Sequence, residues 1–595
     1  MNGRKDELLN RSPASIPCIA LAIAVLGLVP APLAAQSSTL ATYPPPASRG
    51  AVPAVLTQEE RAYYRALFAH LDREEWDKFN ALLAERPAGL LHAVATAEYF
   101  THARSPRISA EQIARWLETG LYLPQAEQIA RLGAKRGLTS FPELPQVREF
   151  TRQPSSPKRL RPRPTDDGTM PPEVSKAILE RIVNDDPAGA RLLLDQIDPS
   201  LSPEARAEWR QRVAWSHYIE NDDAAAFALA ITVRDGAGAW VAEGDWVAGL
   251  AAWRMGDCAT SAQAFARSAD HADNVELRAA AHFWAGRALI RCRDPQGAQG
   301  HLRKAAQQEE TLYGMLAREQ LGQAVTTGNV PEPFSRDDWR DLGEVENVRV
   351  AVALIEIGRI DLADEVLRYQ VGIGNPRQYD AMTRLARELS LPATQLWMAH
   401  NAPRGKKPDP ALRYPVADWQ PTSGWEVDPA LAFAHALQES NFQTRAVSPA
   451  NARGLMQITP ITVRQHASRL ELDASYVNLD DPQVNLAFGQ RNLEMLRDNP
   501  ATQGKLPKIM AAYNAGLTPV TRWNSEVRDQ GDPLLYMESI PYWETRGYVA
   551  IVMRNYWMYE QQQTGGGHSP SRLALAQGQW PGFPQAPATR MNRTN

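Results

Sequence analysis

A chain of 595 residues with 44% hydrophobic content can bury several cores, and its length suggests about three or four globular units. Lys and Arg total 64 against 68 Asp and Glu, and the resulting net charge of -4 gives no polyanion-binding signature, so no nucleic-acid partner is expected. The three cysteines are too few for a disulfide-built scaffold.

Arg4, Lys5 and Arg11 precede an apolar run at 16–28 and small residues around Ala34 and Ala35, the layout of a secretory signal peptide over residues 1–35. Asp6 and Glu7 are atypical of its charged region. The alternative is an uncleaved membrane anchor, although the apolar run falls short of the ~20 residues a span needs. Cys18 has no lipid-attachment context, so the expectation is export to the periplasm and not a lipoprotein. Residues 36–56 are rich in Pro, Ser and Ala and read as a linker.

Residues 57–150 follow a helical pattern, with Tyr64, Leu67, Phe68 and Leu71 at three and four spacing. A basic, proline-laden break at 152–172 (RQPSSPKRLRPRPTDDGTMPP) separates them from a second helical region at 173–400. There, GLAAWRMGDCATSAQAFARSA at 249–269 and FWAGRALIRCRDPQGAQGHLRKAA at 283–306 each read as helix, polar turn and Ala-rich helix. Hairpins of this kind bury their faces by stacking on neighbours, which predicts an α-solenoid; an ordinary helical bundle is the alternative. Cys258 and Cys292 are separated by about one hairpin repeat. A bridge between hairpins and a pair of buried free thiols both fit. Residues 401–424 are again dense in Pro and Gly, a second linker, and 425–563 carry the chemistry. The tail at 564–595 has too few clustered apolar residues to fold alone and reads as disordered.

In DPALAFAHALQES at 428–440, Asp428 suits an N-cap and Pro429 the first helical position, which places Glu439 near the helix C-terminus. The negative end of the helix dipole and burial both raise a carboxyl pKa there, keeping a proton available for a leaving oxygen near neutral pH. Taken alone, such a Glu is usually solvated surface. Its neighbours change that. Gly454 in RGLMQ permits close backbone approach, while Met456 and Gln457 offer an apolar and an amide contact to a flat, hydroxyl-rich ligand. Ser448 could hydrogen-bond substrate or Glu439. Gly516 reads as a helix C-cap that sets Tyr513 and Asn514 in the last turn. Pro541 opens a further helix through Trp543, Tyr548, Val552, Tyr556 and Tyr559, an aromatic stripe that reads as core, and Glu538 and Glu544 flank its start. Ser440, beside Glu439, is a secondary candidate, as is Glu538. No CxxC, HExxH, phosphate-cradling Gly loop or Ser/His/Asp order is found, so neither a metal nor another cofactor is expected.

These motifs together resemble the soluble lytic transglycosylases of Gram-negative bacteria, of the Slt type, the family 1 lytic transglycosylases. The resemblance runs from about 425 to 563 through Glu439-Ser440, GLMQI at 454–458, NLAFGQRNL at 485–493, AYNAG at 512–516 and ESIPYWETRGYV at 538–549. WVAGLAAWRMGD at 246–257 and LYGMLAREQLG at 312–322 extend it into the helical region. It implies a mainly all-α chain: an N-terminal U-type region at 57–150, an α-superhelical ring at 173–400 and a lysozyme-like α+β domain of goose-lysozyme type. By the same resemblance Glu439 is the sole acid and base, Ser448, Gln457, Tyr513 and Asn514 line the glycan cleft, and Glu544 contacts substrate near the scissile bond. Thr459 departs from the family's usual Met.

The implied reaction is non-hydrolytic cleavage between N-acetylmuramic acid and N-acetylglucosamine of peptidoglycan in cell-wall turnover, by a periplasmic monomer, with cell-wall synthesis or recycling proteins as further candidate partners. Two other readings stay open: a hydrolytic muramidase using Glu538, Glu544 or another acid as a second carboxylate, and a catalytically idle cell-wall scaffold.

Overall fold

The computed structural model describes residues 52–325, 332–564 and 569–584. The expected signal peptide and most of the first linker lie outside the described residues. Helix after helix begins where local chemistry places it. Thr57 opens Gln58–Asp72 with a capping box, its hydroxyl accepting from Glu60 N while the Glu60 carboxylate accepts from Thr57 N at 2.8 Å. Asp257, Asn274 and Asp294 cap Cys258–His271, Val275–Arg291 and Pro295–Ala306, each accepting from a first-turn N–H.

The predicted stacking of hairpins is seen in these helices. Trp240–Arg254 is buried along its whole length, which an element apolar on every side requires. Two buried serines of Cys258–His271 fasten it to that helix: Ser261 Oγ donates to Gly249 O at 2.9 Å and Ser268 Oγ to Ala242 O at 2.8 Å. A Cβ on Gly249 would lie 2.6 Å from the Phe265 ring, so this hairpin closes only around glycine. Cys258 and Cys292 form a disulfide with Cα atoms 5.6 Å apart, resolving the alternative left open by their spacing.

Two cores organise the molecule, and they cut across the linear order. Tyr64, Leu67 and Phe68 share one with Leu354, Leu367 and Met398. Trp246, Phe265 and Trp284 share the other with Phe433, Leu455 and Tyr559, so the middle helices and the region carrying Glu439 are packed as one body. The expected separators are built in as well. Strand β1 (Phe150–Arg152) pairs antiparallel with β2 (Asn401–Pro403), Thr151 opposite Ala402. The chain after β1 then runs as a strap whose carbonyls are held from outside: Asn274 Nδ2 donates to Lys158 O at 3.0 Å and Trp240 Nε1 to Arg163 O at 3.0 Å. Arg159 reaches inward to Glu243 at 2.8 Å. Between 425 and 563 the β structure among the described residues is a set of isolated bridges, Val447 to Arg453, Arg453 to Ile458 and Lys505 to Gly582.

The tail corrects an expectation. Residues 569–584 are not disordered: Ser569 caps the helix Pro570–Ala576, Leu575 is buried, and Arg572 pairs with Glu319 at 2.7 Å. A segment too poor in apolar residues to fold alone docks on a surface already formed. Among the described residues, no helix is long and apolar enough to cross a membrane.

Candidate active site

Glu439 stands in the last turn of Pro429–Ser440. Asp428 caps that helix, accepting from Ala430 N at 2.9 Å, and Asn441 ends it in the left-handed conformation, φ 51°. The side chain is half-buried. Tyr548 Oη, from the helix Trp543–Thr564, donates to Glu439 Oε1 at 2.6 Å. Burial pushes the carboxyl up to about 7; the Tyr548 hydrogen bond opposes this by favouring the carboxylate, and the nearby Glu544 charge adds to it. A raised pKa does not by itself mark a site. Burial also pushes Glu276 and Glu560 up to about 7, yet Glu276 accepts from Leu312 N and Glu560 from Ser569 Oγ, both inside the packed body. Glu439 is distinguished by where it sits.

The GLMQ loop supports that position through its backbone. Gly454 has φ +70°, and a Cβ there would fall 2.1 Å from Asn485 Nδ2. Asn485, fully buried, accepts from Met456 N at 2.9 Å and donates to the carbonyls of Arg453 and Leu479, each at 2.9 Å. Gln457, at φ 49°, donates from Nε2 to Gly454 O at 3.0 Å and Ala446 O at 3.2 Å. Ser448 Oγ accepts from Ala452 N at 3.1 Å, and the side chain is half-exposed beside this loop.

The helix Leu506–Ala515 supplies the third wall. Tyr513 Oη donates to Met456 O at 2.7 Å, and the proximity of the Glu439 carboxylate adds to burial in holding its phenol well above the ordinary range. Asn514 Oδ1 accepts from Thr545 Oγ1 at 2.6 Å, which ties this wall to the helix that bears Tyr548. Glu544, exposed, lies on that same helix one turn before Tyr548.

The structure therefore sets Tyr548, Tyr513 and Glu544 near Glu439, ties Asn514 to the helix of Tyr548 and Gln457 to the GLMQ backbone, and moves three candidates elsewhere. Met456 is fully buried, its sulfur so close to Gly489 that a Cβ there would be 2.1 Å away, so its side chain is core and only its carbonyl serves the site. Ser440 is buried and donates to Leu455 O at 2.8 Å, fastening the GLMQ loop to the helix. Glu538 is buried against the middle helices, accepting from Tyr313 Oη at 2.5 Å. Gly454 acts by shape alone.

Two contributors escape the sequence reading. Tyr548 reads there as one more ring of a core stripe, although its place four residues after Glu544 puts the two on one helix face. His435, four residues before Glu439, is fully buried with its ring 4.7 Å from that of Tyr513 and 6.2 Å from that of Tyr548. Its Nδ1 bonds Leu431 O at 2.9 Å, and burial pushes its pKa down to about 4, so it is a neutral ring packed behind both phenols. Among the described residues no cluster of three His, Cys, Asp or Glu could hold a metal ion.

Residues 420–535 match the family model described as a transglycosylase SLT domain. A Haemophilus influenzae protein named for soluble lytic murein transglycosylase is 30% identical over 269 residues, 43% of each chain. The soluble lytic murein transglycosylase of Escherichia coli K12 is 35% identical over 134 residues, 22% of this chain and 20% of that one. The alignments thus span less than half the length of these relatives. In fold, the 70 kDa soluble lytic transglycosylase from Escherichia coli superposes with a TM-score of 0.54 at 17% identity, over 88% of this chain and 99% of the other. A complex of the 70 kDa soluble lytic transglycosylase with bulgecin A gives 0.60 at 17% identity, over 89% and 100%. Residues 420–535 are matched as a transglycosylase SLT domain, and the chain resembles the soluble lytic transglycosylases in sequence and in the fold of its helical body and catalytic region.

Proposed function

We propose that this chain is a periplasmic lytic transglycosylase of peptidoglycan, exported through its N-terminal segment and acting as a monomer on glycan strands in cell-wall turnover. The observation that carries the reading is Glu439: a half-buried carboxyl contacted by one phenol, which burial pushes up to about 7.

Glu439 donates its proton to the oxygen between N-acetylmuramic acid and N-acetylglucosamine as the bond from that oxygen to the muramyl C1 breaks. The substrate's own N-acetyl oxygen closes on C1 and holds the developing positive charge. Glu439, now a carboxylate, takes the proton of the muramyl 6-hydroxyl, and O6 displaces the acetamido oxygen at C1, giving the 1,6-anhydro ring. No water is consumed, and the catalyst ends protonated as it began. Tyr548 holds the Glu439 carboxylate between the two proton transfers, while Ser448, Gln457, Tyr513, Asn514 and Glu544 line the glycan path.

A hydrolytic muramidase would need a second carboxylate opposite the first. Glu538 is withdrawn from that role by its bond to Tyr313, which leaves the exposed Glu544 or another acid. Mass spectrometry of a peptidoglycan digest separates the two: anhydro products support the proposal, and products heavier by one water overturn it. Glu439→Gln releasing muropeptides at the wild-type rate would overturn both enzymatic readings centred on Glu439, whereas a wild-type chain that releases none would be a cell-wall scaffold.

A further inference from the structure

Glu538 and Ser539 lie in the ESIPYWETRGYV segment, yet neither faces the cleft. Both are buried and both are held by tyrosines of the middle helices. Tyr313, in Leu312–Gln320, donates to Glu538 Oε1 at 2.5 Å with its ring packed 5.3 Å from Phe283. The hydroxyls of Tyr218 and Ser539 bond at 2.8 Å, and the Arg254 guanidinium lies 3.5 Å over the Tyr218 ring. One residue on, Ile540 O accepts from Arg546 Nε at 3.2 Å, and the Arg546 guanidinium stacks 4.0 Å over Trp215 and 5.3 Å over Trp543. The start of the turn from Glu538 to Tyr542 is therefore fixed from the helical body at Glu538 and Ser539, and at Ile540 through Arg546, which stacks on Trp215. The helix that leaves it bears Glu544 and Tyr548, and Tyr548 touches Glu439.

We infer that Tyr313 is a positioning residue for Glu439, acting from the helical body through Glu538 and the start of Trp543–Thr564. The inference rests on the reading of Glu439 as the acid. A buried carboxylate deprived of its hydrogen-bond donor is strongly disfavoured and relieves itself by moving toward water. Glu538 can do so only by drawing Ser539 to Tyr542 with it. That displaces Tyr548 and Glu544 from Glu439, and water follows into the space they leave. A displacement of about 1 Å in such a constellation costs on the order of 100-fold in rate.

The groups that face Glu439 are Tyr548 and Glu544 from Trp543–Thr564, Tyr513 from Leu506–Ala515, and the neutral His435 of its own helix. Tyr313→Phe alters none of them, so a change in the titration of Glu439 in that variant reports position and hydration. Loss of the Tyr548 donor raises the pKa of this carboxyl while loss of the Glu544 charge and admitted water lower it, and because desolvation is the largest of these influences the net shift is downward.

The test uses the full chain and purified peptidoglycan sacculi. Tyr313→Phe is expected to lower kcat about tenfold with KM changed less than about twofold, and to move the alkaline limb of the rate profile about one pH unit down. Glu538→Gln keeps an acceptor for Tyr313 and is expected to hold kcat within about threefold of wild type. Ser539→Ala makes the same test from the neighbouring residue should Tyr313→Phe not fold. An unmoved alkaline limb in the folded variants overturns the inference, whether kcat is unchanged or falls only in step with Tm. Glu439→Gln serves as the control. If it is inactive while Tyr313→Phe behaves as wild type, this inference alone fails; if it stays active, the reading beneath it fails first.

Discussion

Tyr548 Oη donates to Glu439 Oε1 at 2.6 Å, joining a residue in the last turn of one helix to a residue in the second turn of another. The contact has two effects that oppose each other. It fixes the carboxyl in the cleft, and it favours the charged form that burial disfavours.

Tyr548→Phe separates those effects. Without the hydroxyl the carboxylate loses a donor, so the Glu439 pKa rises beyond about 7 and the alkaline limb of the rate profile moves to higher pH. The maximal rate falls on the order of tenfold, because the second proton transfer then starts from a loosely held carboxylate. The shift is opposite in sign to that expected of Tyr313→Phe. Rate profiles of the two variants on the same substrate check both; a limb that stays in place in Tyr548→Phe means the phenol does not act on the carboxyl.

The same carboxyl sets a stability dependence. A group whose folded-state pKa is raised from 4.5 to about 7 holds more protons folded than unfolded across that window. Stability therefore falls as pH rises through it and stays lower above. Glu439→Gln removes the penalty, so the variant is expected to be about 3 kcal/mol more stable than wild type near pH 8 and equal to it below about pH 4. Denaturant unfolding at the two pH values measures this, and an equal difference at both would show that Glu439 does not titrate as described.

How much of this is legible in sequence differs from residue to residue. The helix of Glu439 is legible because Asp428-Pro429 is a local start signal and needs no tertiary information. Tyr548 is not, because Trp543, Tyr548, Tyr556 and Tyr559 form one aromatic stripe and only the crossing of two helices decides which hydroxyl meets Glu439. Met456 is misplaced for a related reason: spacing within GLMQ does not say which side chain turns under Gly489 and which faces the cleft. Glu538 has an acidic residue's usual claim to a sugar until Tyr313, 225 positions away, takes it. What sequence misses here is long-range pairing of polar groups.

The Cys258–Cys292 disulfide closes a loop of 34 positions around the hairpin of Cys258–His271 and Val275–Arg291. Chain entropy for a loop of that length gives about 3–4 kcal/mol of stabilisation. The double variant Cys258→Ala, Cys292→Ala is expected to lose about that much. Unfolding with and without reductant gives the number: reductant should shift the midpoint of wild type and leave that of the double variant alone.

The docked tail offers a test of buried charge. Arg572 Nε meets Glu319 Oε2 at 2.7 Å, with the two side chains 3% and 1% exposed, so the helix Pro570–Ala576 is held to Leu312–Gln320 by a pair almost out of water. Leu575 is buried beside it, and Trp557 Nε1 donates to Ser571 Oγ at 2.8 Å. Removing one partner leaves the other charge buried, which costs about 3–5 kcal/mol, whereas replacing both by apolar groups of similar volume is often neutral. Arg572→Ala should therefore destabilise the chain by about that amount, and Arg572→Met with Glu319→Met should regain most of it. A double-mutant cycle in denaturant decides the matter: if the two single changes add, the pair is not coupled and the tail is held by its other contacts.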